Sequence, residues 1–144
     1  MNTHNQTRIV TEAVSWLGTP YHHMGDVKGS GVDCAMLLVR VFCDVGLVPK
    51  IDPRPYPGQF YLHSDEPRYL RWIMEYSDQV KDSRPGDVAL FKFGRCISHA
   101  GIVIDYDLMV HAEQKSCSVV KSEILSSPMY VQRLVGYWRV HDGL

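Results

Sequence analysis

The chain has 144 residues, of which 45% are hydrophobic, and this size and composition fit one compact domain, residues 1–144, with its own core. Fifteen basic and sixteen acidic residues give a formal net charge of −1 without any block of like charge, so nucleic acid and other polyanions are not expected as partners. The N-terminus lacks the apolar stretch of a signal peptide, and no window approaches the ~20 apolar residues of a membrane span, so we expect synthesis in the cytoplasm and no membrane insertion.

The first predicted element is an amphipathic helix. Thr3 and Gln6 have the spacing of a capping box, which places the helix start near the beginning of the chain. Apolar residues then recur on one helical face, and they are Ile9, Val10, Ala13, Val14 and Leu17. The helix is expected to end near Gly18.

A loop and a second helix follow. The segment GTPYHHMGDVKGSGV, residues 18–32, is rich in glycine, and a loop of this length in a small domain suggests a functional surface. Asp33 predicts the N-cap of the next helix. From Cys34 to Gly46 the sequence is apolar nearly all round, so this helix is expected to lie buried at the centre of the core.

The second half of the chain predicts a sheet. Five prolines exclude regular structure between residues 48 and 67, and Pro67 is predicted to open a short helix. The predicted strands are VALFKF, SHAGIVI, LMVHA, SCSVVKSEI and RLVGYWRV. The three residues 105–107 are interpreted as the turn between the second and third strands, which pairs Ile104 with Leu108 and Gly101 with His111. Helices followed by a mostly antiparallel sheet define the α+β class.

Cys34 has two interpretations. It stands in the first turn of the predicted second helix, where unpaired N–H groups and the helix dipole favour a thiolate over a thiol. Cysteine is also a common small core residue, and this explanation suits Cys43. Because a loop precedes Cys34, its side chain can face a cleft, and position alone supports the reactive and the buried interpretations equally.

His99 and His111 are the candidate bases for a cysteine nucleophile. The predicted register places them diagonally on one face of the hairpin, and Gly101 opposite His111 leaves room for their rings to meet. One imidazole would then take the thiol proton while the other fixes its tautomer. The alternative is two unrelated polar residues on a solvent-facing surface, which is less favoured because both lie in apolar strands.

A zinc site is the competing interpretation of the cysteines and histidines. Its candidate ligands are His22, His23, Asp26, Cys34, Cys96, His99, His111 and Cys117. No C-x-x-C or H-E-x-x-H pair supplies the ligand spacing that such sites use. We therefore expect no metal, and the irregular cysteine spacing favours thiols over a disulfide framework.

Five segments carry a resemblance to a known family. In order and spacing, WLGTPYHHMG, GSGVDCAMLLVRVF, RPGDVALF, SHAGIVI and MVHAE resemble the successive motifs of the NlpC family of papain-like cell-wall cysteine peptidases. The resemblance runs from about Trp16 to Glu113 and includes the final YWRV. The pair His22-His23 and the spacing VKGSGVDC most resemble the branch found in bacteriophage tail proteins.

The resemblance implies a papain-like fold and a set of site residues. Cys34 is the implied nucleophile, His99 the general base and His111 the orienting residue. The backbone N–H of Cys34 and the hydroxyl of Tyr21 would form the oxyanion site. Asp33 would both cap the helix and bind the free amine of a stem peptide. No cofactor is implied.

The implied function is hydrolysis of peptidoglycan stem peptides at the bond between γ-linked D-glutamate and a diamino acid, through a thioester intermediate. Phage tail proteins are the implied partners and the virion tail the implied location. The family commonly has Ser-Gly after the cysteine, where this chain has Ala35-Met36, so weaker discrimination between free and glycan-attached stems is expected. The alternatives are a structural or assembly protein of a tail tip with little activity, and an amidase or acyltransferase that uses the same Cys-His pair.

Overall fold

The structure is a computed structural model that describes residues 2–56 and 70–142. In these ranges the helices are α1 (Thr3–Val14), α2 (Cys34–Asp44), α3 (Arg71–Tyr76) and α4 (Pro128–Val131). The strands are β1 (Asp26–Val27), β2 (Gly31–Val32), β3 (Ser77–Val80), β4 (Val88–Phe93), β5 (Cys96–Asp105), β6 (Leu108–Glu113), β7 (Ser118–Glu123) and β8 (Leu134–Val140). None of the helices in this part of the chain is long and apolar enough to cross a membrane.

Six of these strands form one sheet in the order β3-β8-β4-β5-β6-β7, and all neighbours are antiparallel. Residues of α1 and α2 pack with one face of this sheet to form the main core. A second, smaller cluster covers the other face and includes Tyr130 from α4. The α+β class predicted from the sequence, with N-terminal helices packed on an antiparallel sheet, is confirmed.

The helix α2 occupies the centre of the main core, as its apolar sequence predicts. The side chain of Asp33 accepts the backbone N–H of Met36 at 2.9 Å, which satisfies one of the unpaired donors of the first turn. Gly46 follows the helix with φ of 78°, a left-handed conformation that glycine adopts without strain. These two ends place Cys34 at the first position of α2.

Two local predictions about the first third of the chain are corrected. The N-cap of α1 is Asn2, whose side chain accepts the N–H of Asn5 at 2.8 Å, and Thr3 is the first helical residue. Asparagine is the stronger N-cap of the two. The predicted loop 18–32 contains the short hairpin β1–β2. The predicted helix start at Pro67 lies outside the described residues.

The β5–β6 turn differs from the prediction, yet most of the predicted register survives. Asp105 pairs with Leu108, so the connection has two residues instead of three. A bulge at Ile104 absorbs the extra residue, after which Val103 pairs with Met109. This is the pairing that the three-residue turn predicts, because the shorter turn and the bulge compensate each other.

A buried ion pair joins the start of β4 to β8. Asp87 is 0% exposed, and its carboxylate accepts from Arg139 through Nε at 2.9 Å and Nη2 at 2.8 Å. It also accepts the backbone N–H of Arg84 at 2.7 Å, which closes the turn before β4. The pair therefore fixes the central strands relative to each other.

Replacement of Asp87 by alanine is expected to lower the free energy of unfolding by about 3–5 kcal/mol, because it leaves the guanidinium of Arg139 partly buried without its carboxylate. Urea denaturation followed by circular dichroism measures the loss. Asp78→Ala is the control, since Asp78 meets His141 in an exposed pair and should change stability little. Equal losses in the two variants would contradict the role given to Asp87.

Candidate active site

Cys34 lies where the start of α2 meets β5. The residue is 7% exposed, and its Sγ is 3.7 Å from the carbonyl oxygen of Ser98, the residue directly before His99. Phe91 pairs with His99 while the next strand residue pairs with Ile97, so Ser98 is the extra residue of a β-bulge. Such a bulge bends the strand locally. The thiol of the sequence-predicted nucleophile thus lies beside the backbone of the residue that precedes the predicted base.

The rings of His99 and His111 are in direct contact. Nε2 of His99 lies 2.8 Å from Nδ1 of His111, within hydrogen-bond distance. His99 is half-buried, whereas His111 is 0% exposed. The structure therefore brings together the two histidines that the sequence pairs, with the outer one accessible from the surface and the inner one enclosed.

Gly101 does not provide the space for this contact in the way the sequence suggests. A Cβ at Gly101 would lie 2.4 Å from Sδ of Met109, so the side chain of Met109 fills the space above the glycine. The close approach that requires glycine is thus made by Met109.

Three aromatic rings contact the imidazole of His99. Tyr130 stacks on His99 with ring centroids 5.9 Å apart and an interplanar angle of 25°. Phe91 and Phe93 contact the same imidazole at centroid distances of 5.8 and 5.9 Å. Tyr130 belongs to the short helix α4, and these rings restrict the orientation of the imidazole.

The inner side of His111 faces polar groups. Its Nε2 lies 2.8 Å from Oγ of Ser122 on β7 and 3.8 Å from Oε2 of Glu113. The hydroxyl of Tyr130 donates to the same carboxylate oxygen of Glu113. A line of polar contacts therefore runs from His99 through His111 to Ser122 and Glu113.

Burial keeps both imidazoles neutral near neutral pH. Burial lowers the pKa of His111 from 6.5 to about 4. Burial and the neighbouring His111 lower the pKa of His99 well below its usual range. A neutral imidazole has a lone pair on one nitrogen and can accept the proton of a thiol.

Asp33 is engaged more fully than an N-cap requires. It is 2% exposed, and besides capping α2 its Oδ2 accepts the N–H of Met24 at 2.7 Å and the hydroxyl of Tyr56 at 2.5 Å. His23 approaches the same oxygen at 3.7 Å and contacts the backbone oxygen of Tyr56 at 3.0 Å. Burial and the carboxylate raise the pKa of Tyr56, which remains a phenol and a donor.

Tyr21, the predicted oxyanion residue, lies half-buried against the core that contains Cys34. Its backbone N–H donates to the carbonyl of Cys117 at 2.8 Å, and it forms a parallel bridge with Val32. These contacts anchor the backbone of Tyr21 one residue before the His22-His23 pair. Its role at the oxyanion stays a prediction.

Residues 2–56 and 70–142 contain no group of three or more histidine, cysteine, aspartate or glutamate side chains that could hold a metal ion. The four cysteines all lie in these ranges, and none forms a disulfide. The zinc ligands considered from the sequence are therefore not assembled into a site in this part of the chain.

Sequence reasoning missed several residues around the candidate site: Tyr56, Glu113, Ser122 and Tyr130. Glu113 had a usable signal, because it lies two residues after His111 and so shares its strand face. Ser122 required the pairing of β6 with β7, which the sequence does not specify. Tyr56 and Tyr130 lie in segments without periodicity.

The comparisons with known proteins identify a family. The family profile described as NlpC/P60 matches residues 18–139. A protein of Escherichia coli K12 named murein DD-endopeptidase/murein LD-carboxypeptidase is 27% identical over 132 residues, which are 92% of this chain and 61% of that protein. A probable endopeptidase of Mycobacterium tuberculosis is 32% identical over 130 residues, 90% of this chain and 29% of that protein. This chain thus spans less than two thirds of these relatives.

A solved structure supports the fold. The crystal structure of an NLP/P60-family protein of Staphylococcus aureus, described as similar to lipoprotein, superposes with a TM-score of 0.71 at 20% sequence identity. The superposition covers 99% of this chain and 43% of that one. It confirms the papain-like fold that the sequence motifs imply.

The buried neutral His111 predicts a pH dependence of stability. Folding lowers its pKa from 6.5 to about 4, so between these pH values the unfolded chain binds a proton that the folded protein does not. The free energy of unfolding therefore decreases as the pH falls from 6.5 to about 4. The contribution is at most about 1.4 kcal/mol per pH unit. His111→Gln removes this contribution. Urea denaturation at pH values from 7 to 5 should therefore show that the free energy of unfolding changes less steeply with pH than in the parent. Parallel slopes would contradict a buried neutral His111.

Proposed function

The chain belongs to the NlpC/P60 family, and from that membership and the site geometry we propose that it is a cysteine peptidase that hydrolyses the stem peptides of peptidoglycan. The observation that carries the proposal is the position of the Cys34 thiol at the start of α2, 3.7 Å from the carbonyl oxygen of the residue before His99, whose ring in turn contacts His111. A nucleophile, a neutral base and an orienting group in succession are the requirements of acyl transfer by a thiol.

The reaction proceeds in two stages. His99 accepts the thiol proton of Cys34 while the sulfur attacks the scissile carbonyl carbon, and the carbonyl electron pair moves to oxygen. The backbone N–H at the start of α2 and the hydroxyl of Tyr21 stabilise this oxyanion. As it collapses, the C–N bond breaks, His99 protonates the leaving amine, and a thioester remains. Water then loses a proton to His99 as its oxygen attacks the thioester carbonyl. The C–S bond breaks, the carboxylic acid product leaves, and the thiolate of Cys34 takes the proton back from His99.

The scissile bond that we propose joins γ-linked D-glutamate to a diamino acid. The glutamyl unit then carries a free α-carboxylate, which the positive end of α2 can accept next to Cys34. The Escherichia coli relative carries a name that specifies DD-endopeptidase and LD-carboxypeptidase activities. The bonds that such activities cleave are the competing candidates, and a test must include peptides that contain them.

The proposed amine site requires a rearrangement. Asp33 would bind the free amine of a stem peptide, but its Oδ2 already accepts from Tyr56 and Met24. A substrate ammonium would have to displace the hydroxyl of Tyr56. Ala35 offers no hydroxyl to assist. Both features support the weak preference for free over glycan-attached stems that the sequence motifs suggest.

We further propose that the chain acts as part of a phage tail, with tail proteins as partners. The support is the resemblance of the His22-His23 pair and the VKGSGVDC segment to the tail-associated branch. His23 has a structural part in this region, since it contacts Tyr56 beside Asp33. A tail would deliver the peptidase to the cell wall after synthesis in the cytoplasm.

A structural tail-tip protein with little activity is the second candidate. Two observations favour it: the low exposure of Cys34, at 7%, and the occupation of Asp33 by Tyr56. A protein of this kind would keep the fold and the histidine contact without turnover. Hydrolysis measurements separate the two candidates directly.

The parent protein is expected to cleave L-Ala-γ-D-Glu-diaminopimelate between the glutamate and the diamino acid, with less than a roughly tenfold difference in kcat/KM between the free and N-acylated peptides, since one lost hydrogen bond corresponds to about that factor. Mass spectrometry of the products identifies the bond. The panel also contains a D-Ala-diaminopimelate cross-linked peptide, a muramyl tripeptide and whole peptidoglycan, and Cys34→Ala is the inactive control.

The outcomes of this panel test the proposed scissile bond and the Cys34 chemistry separately. Cleavage of the cross-link, of the L-Ala to D-Glu bond or of the muramyl amide would overturn the proposed bond and leave the Cys34 chemistry in place. Absence of hydrolysis on every substrate, from folded protein, would favour the structural tail protein. Tyr56→Phe removes the hydroxyl that donates to Oδ2 of Asp33 and should raise kcat/KM for the free-amine peptide relative to its acylated form.

Substitution of the histidines should give graded effects on turnover. His99→Ala is expected to lower kcat by about 10²–10⁴-fold, the range of general base catalysis. His111→Asn and His111→Gln should retain part of the activity, because an amide can still hold the His99 tautomer, and His111→Ala should be worse than either. His141→Ala, at an exposed position, is the control. Full activity of His111→Ala would reduce the catalytic set to Cys34 and His99.

A further inference from the structure

The enclosed nitrogen of His111 lies at the centre of this inference. His111 is 0% exposed, and its Nδ1 is in contact with His99. Its other nitrogen, Nε2, lies 2.8 Å from Oγ of Ser122. Buried polar atoms are almost always hydrogen-bonded. The protonated nitrogen of His111 therefore needs an acceptor, and the unprotonated nitrogen needs a donor.

Only two proton arrangements fit a neutral pair. In the first, His99 carries its proton on Nε2 and donates to Nδ1 of His111, and His111 donates through Nε2 to Ser122. In the second, His111 carries its proton on Nδ1 and donates to Nε2 of His99, Ser122 donates to Nε2 of His111, and His99 carries its proton on Nδ1. The first arrangement leaves a lone pair on Nδ1 of His99, whereas the second places a proton there. Since Nε2 of His99 is occupied by His111, Nδ1 is the nitrogen left to accept the thiol proton.

The hydroxyl of Ser122 can donate or accept, so it does not select between the arrangements alone. Glu113 supplies the asymmetry, because its Oε2 lies 3.8 Å from Nε2 of His111 and favours a proton on that nitrogen. The hydroxyl of Tyr130 donates to the same oxygen and holds the carboxylate in place. The negative charge of Glu113 is thus held on the side of His111 that faces Ser122.

Solvent reaches this end of the contact line. A cleft of about 460 Å³ is lined by Ser122, Glu113 and Tyr130 together with further polar residues. The hydroxyl proton of Ser122 can therefore point into the cleft, which leaves a lone pair of Oγ directed at Nε2 of His111.

We propose that Ser122 is a positioning residue that accepts the Nε2–H of His111 and, with Glu113, sets the tautomer that leaves Nδ1 of His99 free to act as the base. The catalytic consequence rests on the proposed peptidase function, whereas the tautomer itself does not. Ser122 acts through two imidazoles and touches neither substrate nor the sulfur.

The test combines a spectroscopic and a kinetic measurement. In protein labelled with ¹⁵N-histidine, the nitrogen shifts of His111 should report a protonated Nε2 and an unprotonated Nδ1 near neutral pH. Ser122→Ala should give a mixture of tautomers and lower kcat by about tenfold, the effect of one lost hydrogen bond, with little change in KM. Ser122→Thr should restore both, since it keeps the hydroxyl. Ser118→Ala, on the same strand face, is the matched control.

The outcomes distinguish this inference from the proposed function. Unchanged shifts and unchanged kcat in Ser122→Ala would overturn the positioning role. A change of tautomer in Ser122→Ala, in a protein that hydrolyses no peptide, would support the role of Ser122 and refute the peptidase. Should Ser122→Ala not fold, Glu113→Gln provides the second test, because it removes the charge at constant size and should also mix the tautomers. An unchanged His111 spectrum in Glu113→Gln would contradict the proposed asymmetry.

Discussion

The carboxylate of Asp33 is the interaction on which the candidate site depends. It caps α2 through Met36, binds the loop before β1 through Met24, and holds the proline-rich segment through Tyr56. The helix, the loop before β1 and the proline-rich segment therefore meet at one buried group, directly before Cys34. Without this carboxylate, the start of α2 and the thiol of Cys34 would lose their position relative to β5.

Much of this arrangement could be predicted from the sequence. Asp33 followed by an apolar run predicts a capped, buried helix, and this local signal is enough to place Cys34 in the first helical turn. The alternation in β5 and β6 predicts that His99 and His111 share a face, and their rings are 2.8 Å apart at the nearest nitrogens. Local capping and strand periodicity, which depend on neighbouring residues, are sufficient for these features.

Other features depend on long-range packing and could not be predicted. The bulges at Ser98 and Ile104 are determined by the whole sheet, and the predicted turn before β6 is wrong by one residue for this reason. The strand β3 and the helix α4, with four residues each, are too short to give a periodic signal. Ser122 could be linked to His111 only through the pairing of β6 with β7.

Asp107, at the tip of the β5–β6 hairpin, connects this hairpin to the aromatic cover of the site. Its carboxylate accepts the backbone N–H groups of Ile124, Leu125 and Ser126, which lead from β7 into α4. Tyr130 of α4 in turn stacks on His99. The smallest portable unit of this site is therefore larger than a hairpin and a helix: a graft onto another scaffold would have to carry the chain continuously from β5 to α4, including a turn remote from the chemistry.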